Sequence, residues 1–251
     1  MNKQTVAVLD FGSQYTQLIA RRIREQNVYS EILPHTITAE ELNKKNVPAI
    51  ILSGGPSSVY DKNAPQVDPS ILSMGIPVLG ICYGLQLMIT QNGGNVTHKG
   101  QGEYGFAKMH TVNESPLLTN LANESQVWMS HGDEIDSLGN GFEIIAQSSN
   151  DVIAAIHHKD QPLYGVQFHP EVIHTLEGET IISNFLFNIA QCTADWTAAN
   201  FISETISKIQ DITGDNGKVI TGLSGGVDSS VVGTLLHKAI GTRSTCVFID
   251  H

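Results

Sequence analysis

Cys82 stands in the segment Gly80-Ile81-Cys82-Tyr83-Gly84, after the apolar run Pro77-Val78-Leu79 and before the helix-like Leu85-Gln86-Leu87-Met88-Ile89. A cysteine between small residues where a strand turns into a helix is the cysteine form of a nucleophile elbow. The turn residue is strained and exposed, the glycines relieve crowding, and the helix N-terminus favours a thiolate. A free cysteine in an apolar run is ordinarily an inert core residue. Here the flanking glycines and a downstream partner segment, Val166-Gln167-Phe168-His169-Pro170-Glu171, argue otherwise. His169 offers a base and Glu171 a carboxylate to orient it, so Cys82, His169 and Glu171 have the chemistry of acyl transfer. An oxyanion needs donors, and the backbone N–H groups of Tyr83 and of Gly55, in Ser53-Gly54-Gly55-Pro56, suit that role. Gln86 lies one helical turn beyond Cys82, placed to contact an amide substrate. A metal reading of His169, Glu171 and His174 lacks the His-Glu-x-x-His spacing, so no metal is assigned.

A second constellation follows the strand-like Val219-Ile220-Thr221-Gly222-Leu223. Ser224-Gly225-Gly226-Val227-Asp228-Ser229-Ser230 opens a helix. Small residues there let backbone N–H groups wrap a phosphate at a helix N-terminus. No Gly-Lys-Ser/Thr ends the loop, so it is not a Walker A motif. Asp228 reads as a helix cap.

These segments need a scaffold. Short apolar runs at residues 6–9, 28–33, 49–52 and 77–81 alternate with helical patterns such as residues 15–25, which implies βαβ units and a mostly parallel sheet flanked by helices. Ligands of such sheets bind at the carboxyl ends of strands, where Gly54, Gly55 and Cys82 all fall. Residues 101–107 and 126–135 look irregular or strand-rich, residues 152–157 and 163–168 read as strands, and residues 180–189 as a closing helix. Residues 191–197 are a junction, 201–212 a helix, and 218–250 a second βαβ unit.

The 251 residues suffice for one large or two smaller domains. With 14 Lys and Arg against 25 Asp and Glu, the net charge is −11 and no basic stripe appears, so nucleic acid is not an expected partner. The three cysteines have neither disulfide nor zinc spacing and fit a reducing cytosol. No signal peptide is evident and no apolar run is long enough to span a membrane; a cytoplasmic location is expected.

The elbow at Cys82 with His169-Pro170-Glu171 resembles the triad (class I) glutamine amidotransferases, which release ammonia from glutamine through a glutamyl-thioester. Asp10-Phe11-Gly12-Ser13-Gln14-Tyr15-Thr16, Trp128-Met129-Ser130-His131-Gly132-Asp133 and the Ser224 loop narrow the resemblance to the glutamine-hydrolysing GMP synthase family. The resemblance implies a flavodoxin-like amidotransferase domain over residues 1–190. A junction and the first βαβ unit of a Rossmann-like ATP pyrophosphatase domain follow over residues 191–251. It implies that Ser130, His131, Gly132 and Asp133 help form the glutamine pocket with Gly54, Gly55, Tyr83 and Gln86. It implies that Ser224, Gly225, Gly226, Val227, Asp228, Ser229 and Ser230 hold the pyrophosphate of ATP. The implied substrates are glutamine, ATP with Mg²⁺, and XMP, with no prosthetic group. The family continues past this length into a domain that dimerises and helps bind XMP, so the chain reads as truncated and as supporting only the glutaminase half. A free-standing hydrolase would not need the Ser224 loop, and a nucleotide-sensing module would not need an intact triad.

Overall fold

Successive apolar residues in the short runs of the first half are explained by a sheet buried on both faces, as parallel strands covered by helices require. Val6, Val8, Ile51, Leu79 and Ile81 pack on one side with Ile19, Ala20, Ile23, Ile181 and Phe185. Ala7, Leu9, Ile50, Leu52 and Val78 pack on the other with Leu42, Leu85, Leu87 and Met88. The computed structural model describes residues 4–248, and for residues 99–101 the backbone alone. Two compact units emerge, Met1–Asp195 and Trp196–His251.

The first unit begins with β1 (Val6–Asp10), α1 (Thr16–Glu25), β2 (Ser30–Pro34), α2 (Ala39–Lys44), β3 (Ile50–Leu52), β4 (Val78–Ile81) and α3 (Tyr83–Gln91). It continues with β5 (Asn95–Thr111), β6 (Glu124–Ser137), β7 (Phe142–Ser148), β8 (Ile153–His158), β9 (Leu163–Val166) and α4 (Gly178–Ser183). A π-helical segment, Asn184–Ile189, extends α4. The strands form a nine-stranded sheet in the order β2-β1-β3-β4-β9-β8-β7-β5-β6. From β2 to β9 all neighbours are parallel; from β9 outward they are antiparallel. Residues 101–107 and 126–135, read from the sequence as irregular or strand-rich loops, therefore lie within two long paired strands. A register shift between His98 and Glu103 interrupts their alternation.

In the second unit α5 (Ala198–Thr213) precedes β10 (Val219–Leu223), α6 (Val227–Ile240) and β11 (Ser244–Phe248). The strands β10 and β11 pair in parallel from Val219↔Ser244 to Leu223↔Phe248, which makes the βαβ unit expected there. Ile249 and Asp250, read as its last residues, lie outside the described ones. This unit leaves much apolar surface in water: Ile220 is 77%, Val227 79% and Phe248 63% exposed. No residue of α5 is fully buried. A two-stranded sheet is marginal in isolation. Limited proteolysis of the 251-residue chain should thus cut first between residues 191 and 217 and leave a resistant core that retains Cys82 and His169. A protease-resistant piece made of residues 218–251 would contradict that reading of the second unit.

Candidate active site

The elbow is built where β4 ends against two neighbouring strands. Cys82 adopts φ 50° and ψ −106° and directly precedes α3. Its N–H donates to the Val166 carbonyl at the end of β9 (2.8 Å), and the Gly84 N–H donates to the Ser53 carbonyl after β3 (3.1 Å). Such a conformation costs a non-glycine residue about 1–3 kcal/mol, so packing on both sides must hold it. The glycines are what permit that packing. A Cβ on Gly80 would lie 2.7 Å from the Leu85 nitrogen and 2.8 Å from the Gly84 carbonyl, and one on Gly84 would collide with the Leu52 carbonyl oxygen.

His169 reaches the same point from the other side. Its Nδ1 lies 2.8 Å from Glu171 Oε1, and both side chains are buried. A turn fixes their backbone. The His169 N–H donates to the Trp128 carbonyl (3.0 Å), and the Thr175 hydroxyl donates to the His169 carbonyl (2.6 Å) while accepting from the Trp128 N–H (3.0 Å). One turn further, the Leu176 N–H donates to the Gln126 carbonyl and the Gln126 side chain donates to the His174 carbonyl. Arg22, on α1, donates from Nε to the Glu171 carbonyl at 2.9 Å. Pro170 lets Glu171 fold back two residues on. His174, weighed above as a metal ligand, instead stacks on Trp128 with ring centroids 4.6 Å apart.

Cys82 and His169 meet over Gly54, where a Cβ would lie 3.2 Å from His169 Cε1 and 3.8 Å from Cys82 Cβ. Burial, the largest influence on His169, opposes its charge. Hydrogen bonds to Cys82 and Glu171 and their charges outweigh it and push the imidazole up to about 10. A proton leaving the sulfur therefore has a favourable site on His169. His131 behaves oppositely: burial holds it below the usual histidine range despite Glu103 and Glu134 nearby.

A cavity of about 690 Å³ opens onto Cys82 and His169, lined also by Gly55, Tyr83, Gln86, Ser130, His131, Gly132 and Asp133. That is ample for an amino acid. Tyr83 is the first residue of α3, so its N–H has no acceptor within the helix and is available beside the sulfur. Gln86 is 3% exposed and donates to the Asp133 carbonyl (2.9 Å) and to Gln167 Oε1 (3.3 Å). Its amide thus braces the wall formed by residues 130–133. Several lining residues carried no signal of their own. Tyr15 sets its ring edge-on to His169 with centroids 5.1 Å apart, and His98 and Tyr104 arrive from the far strand β5.

In the second unit, residues 224–226 form an exposed bend and residues 227–230 the first turn of α6. Gly225 has φ 80°, a left-handed value that favours glycine. Ser229 and Ser230 donate to the Gly226 carbonyl (3.1 and 2.9 Å), and the Ser224 N–H donates to Ser229 Oγ (3.3 Å). The N-cap is Gly226, and Asp228 sits in the first turn without capping it.

A reactive-cysteine elbow at the carboxyl edge of a parallel sheet, with a histidine–carboxylate pair facing it, is an arrangement suited to amide hydrolysis through a thioester. Residues 7–189 match the family described as Glutamine amidotransferase class-I, and the chain belongs to that family. Residues 197–249 match the family described as NAD synthase. Over 250 residues the chain is 51% identical to the GMP synthase (glutamine-hydrolyzing) of Thermosynechococcus vestitus, covering all of this chain and 46% of that one. Over 249 residues it is 55% identical to the same-named protein of Listeria innocua, covering 99% of this chain and 48% of that one. The chain thus spans about half the length of these relatives. A solved structure from Thermoplasma acidophilum, described as one subunit of a putative GMP synthase, superposes with a TM-score of 0.69. It has 29% identity and covers 81% of this chain and 99% of that one. A glutamine amidotransferase from Thermotoga maritima, at 18% identity and a TM-score of 0.61, shares the fold.

Two outcomes follow for this site. Gly84→Ala should destabilise the protein by about 1–3 kcal/mol in denaturant titration, the usual cost of overpacking, because the new methyl meets Leu52 backbone. The folded value of His169 lies above its unfolded value. Its contribution to stability is therefore complete below about pH 6.5 and fades as pH rises toward about 10. The gap in Tm between the wild type and His169→Asn should narrow over that range, and a constant gap would deny the coupling.

Proposed function

We propose that the chain carries the glutaminase half of a glutamine-hydrolysing GMP synthase. The observation that supports this most directly is the convergence of Cys82 and His169 at the mouth of one cavity, with Glu171 hydrogen-bonded behind the imidazole. In this reading Cys82 Sγ attacks the side-chain carbonyl of glutamine. The N–H groups of Tyr83 and Gly55 receive the oxyanion, and residues 130–133 hold the amino-acid end of the substrate. His169 gives its proton to the departing nitrogen and ammonia leaves, with the glutamyl group now on sulfur. Water then adds to the thioester as His169 takes its proton, which releases glutamate and restores the cysteine. Glu171 keeps the imidazole oriented and balances its charge.

The second unit begins the ammonia-using half. The exposed N-terminus of α6, the positive φ of Gly225 and the hydroxyls of Ser224, Ser229 and Ser230 suit the pyrophosphate of ATP. Among the described residues no cluster of three His, Cys, Asp or Glu could hold a metal. Mg²⁺ would accordingly be held chiefly by phosphate oxygens, with Asp228 assisting. The proposed overall reaction adenylates the C2 oxygen of XMP with release of pyrophosphate, after which ammonia displaces AMP and gives GMP. The rest of the ATP site, the XMP site and the dimer contact are assigned to the part of the relatives that this chain does not span. A cytosolic location fits; no helix among the described residues is long and apolar enough to cross a membrane.

An electrophilic glutamine analogue should label Cys82 and spare Cys192, whose thiol burial pushes up to about 11, and the exposed Cys246. Cys82→Ser should lower glutamine hydrolysis by about a thousandfold or more, and Glu171→Ala should cost less than His169→Ala. Labelling of another cysteine would overturn the assignment of the nucleophile.

A further inference from the structure

Gln167 directly follows β9, two residues before His169, and is 0% exposed, yet it carries a polar amide into the wall behind the nucleophile. A buried amide must satisfy its own donors and acceptor, and here its orientation can be fixed by elimination. The Asp133 carbonyl can only accept, so the Gln86 group 2.9 Å from it is the NH₂. The same NH₂ lies 3.3 Å from Gln167, so the Gln167 atom facing it is the carbonyl oxygen. The NH₂ of Gln167 is then turned toward Cys82, with Nε2 3.7 Å from Sγ. Sγ also lies 3.6 Å from the Ser130 carbonyl, which can accept from a thiol and offers nothing to a thiolate.

We infer that Gln167 is a further catalytic residue, a buried donor that stabilises the sulfur of Cys82 once its proton has gone to His169, and that Gln86 is its positioning residue. The inference rests on Cys82 being the nucleophile. The two amides form a relay from the Asp133 carbonyl, in the wall of the substrate cavity, to the reacting atom. The Ser130 carbonyl can accept from the thiol form of Cys82 and the Gln167 amide can donate to the charged form, both from where they stand.

The test is the rate of alkylation of Cys82 by iodoacetamide at neutral pH without glutamine, read by peptide mass spectrometry, with exposed Cys246 as the internal reference. Gln167→Met keeps the length and removes the donor; it should slow Cys82 by about tenfold, as loss of one hydrogen bond to a charged group predicts. Gln167→Glu is isosteric and places an oxygen against the sulfur; it should be slowed at least as much. Gln86→Met should cause a smaller loss. In all three the labelling of Cys246 should be unchanged. Wild-type alkylation rates in folded Gln167→Met and Gln167→Glu would overturn the proposal. So would loss of folding in both, since the amide would then be needed by the core and not by the sulfur. The wild-type chain treated with the glutamine analogue separates the two readings. If Cys82 of the wild type is not labelled, the nucleophile assignment fails first; if it is labelled and the variants react normally, only the role of Gln167 fails.

Discussion

The backbone of Cys82 is the constraint that the rest of the first unit answers to. An L-residue at φ 50° and ψ −106° does not stay there unaided. It is held because β4 is central in the sheet, between β3 and β9, and each neighbour contributes a carbonyl to the turn. The helix that follows is then forced close to β3, close enough that only glycine fits at position 84. Every residue of α3 from Tyr83 to Ile89 is buried, so the strained residue is clamped by core packing rather than by a surface loop. The sulfur in turn emerges at the carboxyl edge of the sheet, where the loops after β1 and β3 and the strand β6 can close around it.

A second demand is electrostatic. Glu171 is wholly buried, and a lone carboxylate there would be costly. The neighbouring imidazole offsets that cost as long as it is charged. The surrounding polar groups act on backbone rather than on charge. Arg22 holds the Glu171 carbonyl, and Thr175 ties the His169 carbonyl to the Trp128 N–H. Position is thus fixed through backbone carbonyls and N–H groups rather than through the two side chains themselves.

Much of this was legible in the sequence, and for identifiable reasons. The doubly apolar runs at residues 6–9 and 49–52 mark buried parallel strands without ambiguity, and Gly80 and Gly84 around Cys82 announce a close turn. The strand β7 was not legible: register shifts around Ala146 break its alternation, so its apolar residues follow no single period. The short helix α2 was missed although Thr38 and Glu41 form a capping box at its start, a local signal that does appear in the chain. Residues 101–107 and 126–135, read as irregular or strand-rich, are strand; what the sequence hid is their long pairing, since a bulge after His98 spoils period-two reading in β5. The roles of Tyr15, Gln167 and Arg22 depend on contacts between elements far apart in sequence, as with the 149 positions that separate Arg22 from Glu171. No local pattern reports such a pair.

The turn that carries His169 and Glu171 also lies along β6, the last strand of the sheet. An edge strand exposes a row of unpaired donors and acceptors that can recruit a strand from another molecule. Over residues 126–128 that row is already taken, by the N–H groups of His169 and Leu176 and the hydroxyl of Thr175. The segment that carries His169 and Glu171 is therefore also a guard against edge-to-edge association. A change that loosens this turn therefore also uncovers a sticky margin of the sheet.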